Sequence, residues 1–326
     1  MLSFPDFKEK QIIVIFGNEG QTLKIKNSNI LIQNHEKETL LQHSLHKILN
    51  IWIIGRITLS SVVLEKAQRY GIALVLLSQT FKPLGFWGNK TEGNTLLRSK
   101  QYQTNSHEYG KKIINNKINN QLILLKSIRK KTTNLKSDIC EIQSKKKQIQ
   151  NTESLQGLMG LEGYTTKIYF KHWFATIGWK GRKPRTKIDI NNVLLDMGYT
   201  YLFNFIETLL CLHGFDIYKG IYHQFFYQRK SLVCDIIEPF RCIIEHALKK
   251  AYNLKQIHAT DFTYQNQRYT LQFKKSKSYT KIFLDSILLH KNEIYRYIQS
   301  YYRYELAPHA DKKPFPSYEF KHTPPC

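Results

Sequence analysis

The chain changes texture at about Thr91, and that change limits the folds open to it. Before it, short β-branched runs at 11–16 (QIIVIF), 22–26 (TLKIK) and 29–33 (NILIQ) are separated by GNEG and NSN. Runs of that length bounded by Gly and Asn read as strands. Residues 52–55, 72–77 and 84–87 read as further strands, with one helix over 59–70, capped by Thr58 or Ser60 and closed by Gly71. After Thr91 the apolar residues recur at helical spacing over 96–125, 154–176, 193–212, 232–251 and 285–304. From Pro308 onward the chain is too Pro-rich for helix and is expected to dock on a partner protein. The pattern predicts an α+β protein: an N-terminal β-rich domain over 1–90, followed by a larger, mainly α-helical domain over 91–326.

Charge narrows the partners. The chain carries 49 Lys and Arg against 25 Asp and Glu, a formal net charge of +24. Residues 1–90 hold 11 basic and 6 acidic residues, and the remainder 38 and 19, so most of the excess lies on the helical part. An excess of that size points to a polyanion, because neutralising phosphates releases their counterions. The densest basic run is 111–147, relieved only by Asp138 and Glu141. A compact second patch, 180–187 (KGRKPRTK), contains Arg182, Lys183 and Arg185, and guanidinium forks suit phosphate better than ammonium groups do. With 42% apolar residues, a packed core is expected rather than disorder. The most apolar stretch, 199–215, is interrupted by Asn204, Glu207 and His213, so no membrane span is expected. The N-terminus lacks the apolar core of a secretion signal, and the expected location is the cytoplasm. Five scattered cysteines without a C-x-x-C pair read as idle thiols in a reducing compartment.

Three stretches could carry chemistry. In 157–170 (GLMGLEGYTTKIYF), Gly157, Gly160 and Gly163 recur every third residue of a helical pattern, each costing about 1 kcal/mol relative to Ala. Close approach of another helix or of a ligand's backbone would explain them, and Glu162 sits among them. In 229–241 (RKSLVCDIIEPFR), Asp235 and Glu238 are three apart and therefore neighbours on a helix. Periodicity alone favours a capping role for this pair, or an ion pair with Arg241, and Pro239 requires a helix start close by. In 214–223 (GFDIYKGIYH), His223 follows a glycine-containing loop twelve residues before Asp235.

Each of these is weak alone, but their order is not. Together with NTLLRSKQY at 94–102, G-x-E-G at 160–163, D-x-x-N-x-L-L-x-x-G-Y at 189–199, G-x-D-x-x-x-G-x-x-H at 214–223 and S-L-x-x-D-I-x-E-P-F-R at 231–241, the chain resembles the CRISPR-associated integrase of spacer acquisition over nearly its whole length. The resemblance implies that Glu162, His223 and Glu238 hold a divalent metal, Mn²⁺ or Mg²⁺, with Asp235 beside them as a supporting catalytic residue. It further implies a homodimer formed through the β-rich domain, and a complex in which two such dimers flank a dimer of the small second adaptation protein. Ile190 and Ile217 stand where such proteins often carry proline, which bears on loop shape and not on the ligands.

The chemistry is consistent with that implication. Two carboxylates and an imidazole are a mostly hard donor set suited to Mn²⁺ or Mg²⁺. A metal so held can activate a hydroxyl and stabilise the oxygen that leaves phosphorus. A DNA 3′-OH as attacker gives strand joining by transesterification, and water gives a nick. DNA is the expected substrate, with Arg182, Lys183, Arg185 and Arg241 as candidate backbone contacts. The alternatives are a structure-specific DNA-repair nuclease using the same residues, a non-enzymatic basic scaffold whose acids only cap and pair, and, more distantly, a membrane-surface protein.

Overall fold

The N-terminal runs pair into two four-stranded sheets. The computed structural model describes all residues except 1, 19, 89–92, 225, 308–312 and 322–326, and it divides into two units, Met1–Thr95 with Glu207–Phe215, and Leu96–Ile206 with Asp216–Cys326. In the first unit the elements run α1 (Phe4–Glu9), β1 (Gln11–Gly17), β2 (Thr22–Lys26), β3 (Asn29–Gln33), β4 (Thr39–Ser44), β5 (Ile48–Gly55), β6 (Thr58–Leu59), α2 (Ser61–Arg69), β7 (Ala73–Leu77) and β8 (Pro83–Trp87). One sheet has the order β1-β5-β7-β8, parallel until β8 turns antiparallel. The other has the order β4-β3-β2-β6, antiparallel except for the short β2–β6 pairing. Alternating residues of both sheets (Ile13, Ile15, Leu23, Ile30, Ile32, Ile51 and Ile53) meet Val63 and Ala67 of α2 in one core.

The strands expected at 11–16, 22–26, 29–33, 72–77 and 84–87 all form, and 52–55 is the end of the longer β5. The helix starts later than its pattern suggests because Thr58 and Leu59 pair with β2. Strand β5 is buried on both faces, as a central parallel strand is. On the face away from the core, Asn50 donates to Thr208 of the returning segment Glu207–Phe215 at 2.8 Å.

The second unit is helical: α3 (Thr95–Tyr102), α4 (Ser106–Lys126), α5 (Thr133–Gln148), α6 (Leu155–Trp173), α7 (Ile190–His213), whose last turns belong to the first unit, α8 (Ser231–Ile236), α9 (Arg241–Asn253), the hairpin β9 (Phe262–Gln265) and β10 (Arg268–Leu271), α10 (Ser276–Leu289) and α11 (Lys291–Leu306). Helix α4 is its axis, burying Ile113, Ile114, Ile118, Leu124 and Leu125 completely. Where α7 meets α9 and α10 it does so at Gly198, whose added Cβ would lie 2.5 Å from Ile244 and 2.8 Å from Phe283.

Three helices expected to be continuous are broken. The 96–125 stretch is interrupted before Asn105, whose side chain caps α4 by accepting from the Glu108 N–H at 3.2 Å. The 232–251 stretch is interrupted by a 3₁₀ turn, Glu238–Phe240, because Pro239 has no N–H to continue the ladder. The 285–304 stretch is two helices that meet at His290.

Pro308 and Cys326 lie outside the described residues, while the stretch 313–321 docks on its own unit. Asn116 donates to the Tyr318 carbonyl at 2.6 Å and accepts from its N–H at 2.9 Å. Asn120 donates to the same carbonyl at 3.0 Å and accepts from the Phe320 N–H at 2.9 Å. Two asparagines one turn apart thus replace a neighbouring strand, and the side chains of Tyr318 and Phe320 are buried.

Candidate active site

Helix α6 begins at Ser154, whose hydroxyl accepts from the Gly157 N–H at 3.1 Å, and carries Glu162 two turns later. Glu162 is no isolated surface acid: its side chain is 21% exposed. Thr166 donates to Glu162 Oε1 at 3.1 Å, and Gln121 of α4 donates to Thr166 at 3.1 Å. Lys117 of α4 donates to the same Glu162 Oε1, and its Nζ lies 2.6 Å from Glu238 Oε2. The Arg241 Nε lies 2.9 Å from that oxygen of Glu238. One buried ammonium therefore joins the carboxylate of α6 to the carboxylate of the Pro239 turn. Asn120 fixes that turn from behind by donating to the Pro239 carbonyl at 2.9 Å.

Asp235 is fully buried and does not cap a helix, contrary to the reading favoured by periodicity. It is the floor of the glycine loop: its carboxylate accepts the backbone N–H groups of Ile221, Tyr222 and His223, the last at 2.8 Å. The same carboxylate lies 2.7 Å from His223 Nδ1. The loop can close this tightly because residue 220 is glycine; an added Cβ would stand 2.4 Å from the His223 carbonyl and 2.5 Å from Ser231 Cβ. With Nδ1 held, His223 is left with Nε2 as its remaining donor atom, on a side chain 24% exposed. A carboxylate fixing one ring nitrogen so that the other can serve as ligand is the usual support of a metal-binding histidine.

The charges are strongly coupled. Burial raises the Glu238 carboxyl, but Arg241, Lys117 and His223 outweigh it and hold it at about 2. Burial lowers the Lys117 ammonium, yet Glu162 and Glu238 together hold it above its ordinary value. Asp235 moves the other way: burial raises it despite its bonds to His223 and the loop. Tyr222 is raised by burial and by the charges of Glu162, Glu238 and Asp235.

The donor set fits a hard divalent ion, and two of the donors already share a cation. Among the described residues no three His, Cys, Asp or Glu side chains converge closely enough to hold a metal as they stand. Lys117 lies between Glu162 and Glu238 and touches both carboxylates.

The glycine stripe of α6 is not a helix–helix contact. An added Cβ at Gly160 or Gly163 would meet nothing within 4 Å, which leaves the surface on either side of Glu162 bare. The patch 180–187 is built by the Asp189 motif. Asn192 accepts from Arg182 and from the Lys183 N–H, each at 2.9 Å, and Asp196 accepts from Arg182 at 2.6 Å and from the Arg185 N–H at 2.8 Å. The guanidinium of Arg182 is thus turned inward, and that of Arg241 lies 4.7 Å from the Tyr199 ring centre beside Glu238. Lys183 and Arg185 remain exposed. The basic run 111–147 is also partly internal, since Lys111 and Lys117 are buried.

The family model described as CRISPR associated protein Cas1 matches residues 14–284. The chain belongs to the Cas1 family. A curated relative, CRISPR-associated endonuclease Cas1 1 of Thermodesulfovibrio yellowstonii, is 32% identical over 238 residues, 69% of this chain and 74% of the relative. Among solved structures, a casposase bound to integration product matches the Cas1 fold seen here with a TM-score of 0.79 at 17% identity, covering 97% of this chain and 96% of the other. A chain of a Cas6-RT-Cas1–Cas2 complex matches with a TM-score of 0.81 at 21% identity over 96% of this chain, which spans 36% of that longer chain.

Sequence alone sets no separate mark on Lys117 and Asn120, which touch Glu162, Glu238 and the Pro239 turn. Both lie in the Lys- and Asn-rich run 111–147, which composition marks only as basic. The signal was present: Lys117 stands one turn from Ile113 and Ile114 and from Gln121, within the buried stripe of α4.

Proposed function

We propose that this Cas1 family member is a metal-dependent DNA integrase and endonuclease of CRISPR spacer acquisition. The observation that carries the reading is the pairing of Glu162 and Glu238 around a shared cation, next to a histidine oriented by a buried aspartate. In this reading Glu162, Glu238 and Nε2 of His223 hold Mn²⁺ or Mg²⁺, which supplies Lewis-acid polarisation of a phosphodiester and eases deprotonation of the attacking hydroxyl. Asp235 holds the imidazole in place, and Asn120 and Arg241 hold the turn that presents Glu238. The attacking 3′-OH of a captured fragment forms a new P–O bond while the repeat strand's 3′ oxygen leaves, so one phosphodiester replaces another. Water in place of the hydroxyl gives a nick.

The matched structures, a casposase bound to integration product and a Cas6-RT-Cas1–Cas2 complex, support DNA as substrate and a small Cas2-type protein as partner. We assign residues 1–90 to homodimerisation and 91–326 to catalysis, in the cytoplasm. The exposed Lys183 and Arg185 are the proposed contacts to the DNA backbone, with Arg182 and Arg241 shaping the surface from within.

Strand transfer tests this. Purified protein, with and without its Cas2-type partner, is mixed with Mn²⁺, a short duplex with free 3′-OH ends and a supercoiled repeat plasmid. Joined product is expected, and Glu162→Ala, His223→Ala and Glu238→Ala should each abolish it. Nicking without joining in the complete mixture would favour a repair nuclease. Activity that survives all three substitutions would make the acids structural.

A further inference from the structure

Lys117 is the most unusual charged residue in the second unit. It comes from the densest basic run of the sequence, yet only 7% of its side chain is exposed. Its Nζ touches Glu162 on α6 and Glu238 in the Pro239 turn, two carboxylates that the chain places 76 residues apart. A buried lysine is costly unless its charge is matched, and here it is matched by the two groups read above as metal ligands. Carboxylate oxygens bind Mg²⁺ at about 2.0–2.1 Å. The ammonium touches both of the carboxylates that would hold the ion. Glu238 is in addition shared with Arg241, so its negative charge is already drawn on twice.

We propose that Lys117 is a built-in counter-cation of the active site: it holds Glu162 and Glu238 together before a divalent ion enters, and it competes with that ion for the same oxygens. The inference rests on the reading of Glu162 and Glu238 as ligands. Metal affinity is then set by the work of displacing an ammonium as well as by the ligands, and the lysine stem lets the head group swing aside while the carboxylates close on the ion. The metal-free site remains assembled because it is never without a cation.

The test is Mn²⁺ binding to the full-length protein without DNA, read from the electron paramagnetic resonance signal of free Mn²⁺ and from calorimetry. Lys117→Met removes the charge and keeps the length. It should bind Mn²⁺ about tenfold more tightly or better, the direction expected when a unit charge a few ångströms away is removed. Its melting temperature in EDTA should be lower than the parent's and should recover more on adding Mn²⁺. Lys117→Arg keeps the charge and should stay within about threefold of the parent. If Lys117→Met fails to fold, Lys117→Gln replaces it with the same expectation. Glu238→Gln is measured alongside. If it leaves Mn²⁺ binding unchanged, the metal-site reading itself fails. If it weakens binding while the neutral Lys117 variant binds no tighter, or if Lys117→Arg binds as tightly as Lys117→Met, the counter-cation is overturned and the ligand assignment stands.

Discussion

At the scale of single residues, Asp235 organises the glycine loop: its carboxylate gathers the N–H groups of Ile221, Tyr222 and His223 and lies 2.7 Å from His223 Nδ1. Glu162, His223 and Glu238 stand in stretches that could carry chemistry, but only the resemblance groups them as one ligand set, because a helical glutamate or a loop histidine carries no local mark of its partner. Asp235 illustrates the difficulty. Its spacing from Glu238 fits a cap, and only the folded loop shows that its carboxylate faces back toward residues 221–223. That geometry makes Asp235→Asn a discriminating change. The carboxylate accepts four donors, and an amide in its place turns an N–H₂ toward groups that also donate. Leaving buried donors unmatched costs about 1–3 kcal/mol. The substitution should lower the melting temperature accordingly. It should also release the His223 ring, weakening Mn²⁺ binding or strand transfer by roughly 10–100-fold, as loss of such a supporting carboxylate does. Unchanged metal affinity in a folded Asp235→Asn protein would separate Asp235 from the site.

At the scale of elements, strands were easier to read than helix ends. The strands are short and bounded by turn residues, so 22–26 and 29–33 appear where their composition puts them. Helical periodicity, by contrast, runs through a break when both sides bury the same stripe, which is why 96–125 and 285–304 read as continuous although Asn105 and His290 separate two helices in each. Pro239 is the exception, since a proline announces its own break. The docked stretch 313–321 was unreadable for another reason: its partners are asparagines on a helix some 200 residues earlier, and nothing in a Pro-rich segment specifies them. Asn120 connects this stretch to the Glu238 turn, because the same side chain donates to the carbonyls of Pro239 and Tyr318 and accepts from Phe320. Asn120→Ala leaves those buried groups unpaired and is expected to destabilise the protein by about 2–4 kcal/mol. A chemical-denaturation series would read the loss, and faster proteolysis within 313–321 would localise it. A variant as stable as the parent would mean that the stretch is held by Tyr318 and Phe320 alone.

At the scale of the whole molecule, composition points to a polyanion partner, and the fold shows which cations are paired within the protein. The return of Glu207–Phe215 to the first unit was hidden, because α7 continues without a break in its pattern. The excess charge lies mainly outside 1–90, as counted from sequence, but the structure spends part of it internally: Lys117 and Arg241 neutralise Glu238, and Arg182 neutralises Asp196. A count of Lys and Arg therefore overstates the charge left free for a polyanion. The exposed pair in the 180–187 loop should behave differently from Arg182 beside it, whose guanidinium is paired with Asp196 and Asn192. If Lys183 and Arg185 each neutralise one phosphate, replacing both with Gln removes about two counterions from the binding reaction. The slope of log K against log salt should then become shallower by about two, for any duplex sequence. Arg182→Gln instead unpairs Asp196 and Asn192, so its signature is a lower melting temperature, with loss of binding only as the loop loosens. Binding measured at several salt concentrations on a random duplex separates the two cases. An unchanged slope in the double variant would move the DNA contact away from this loop, to the exposed remainder of the 111–147 run.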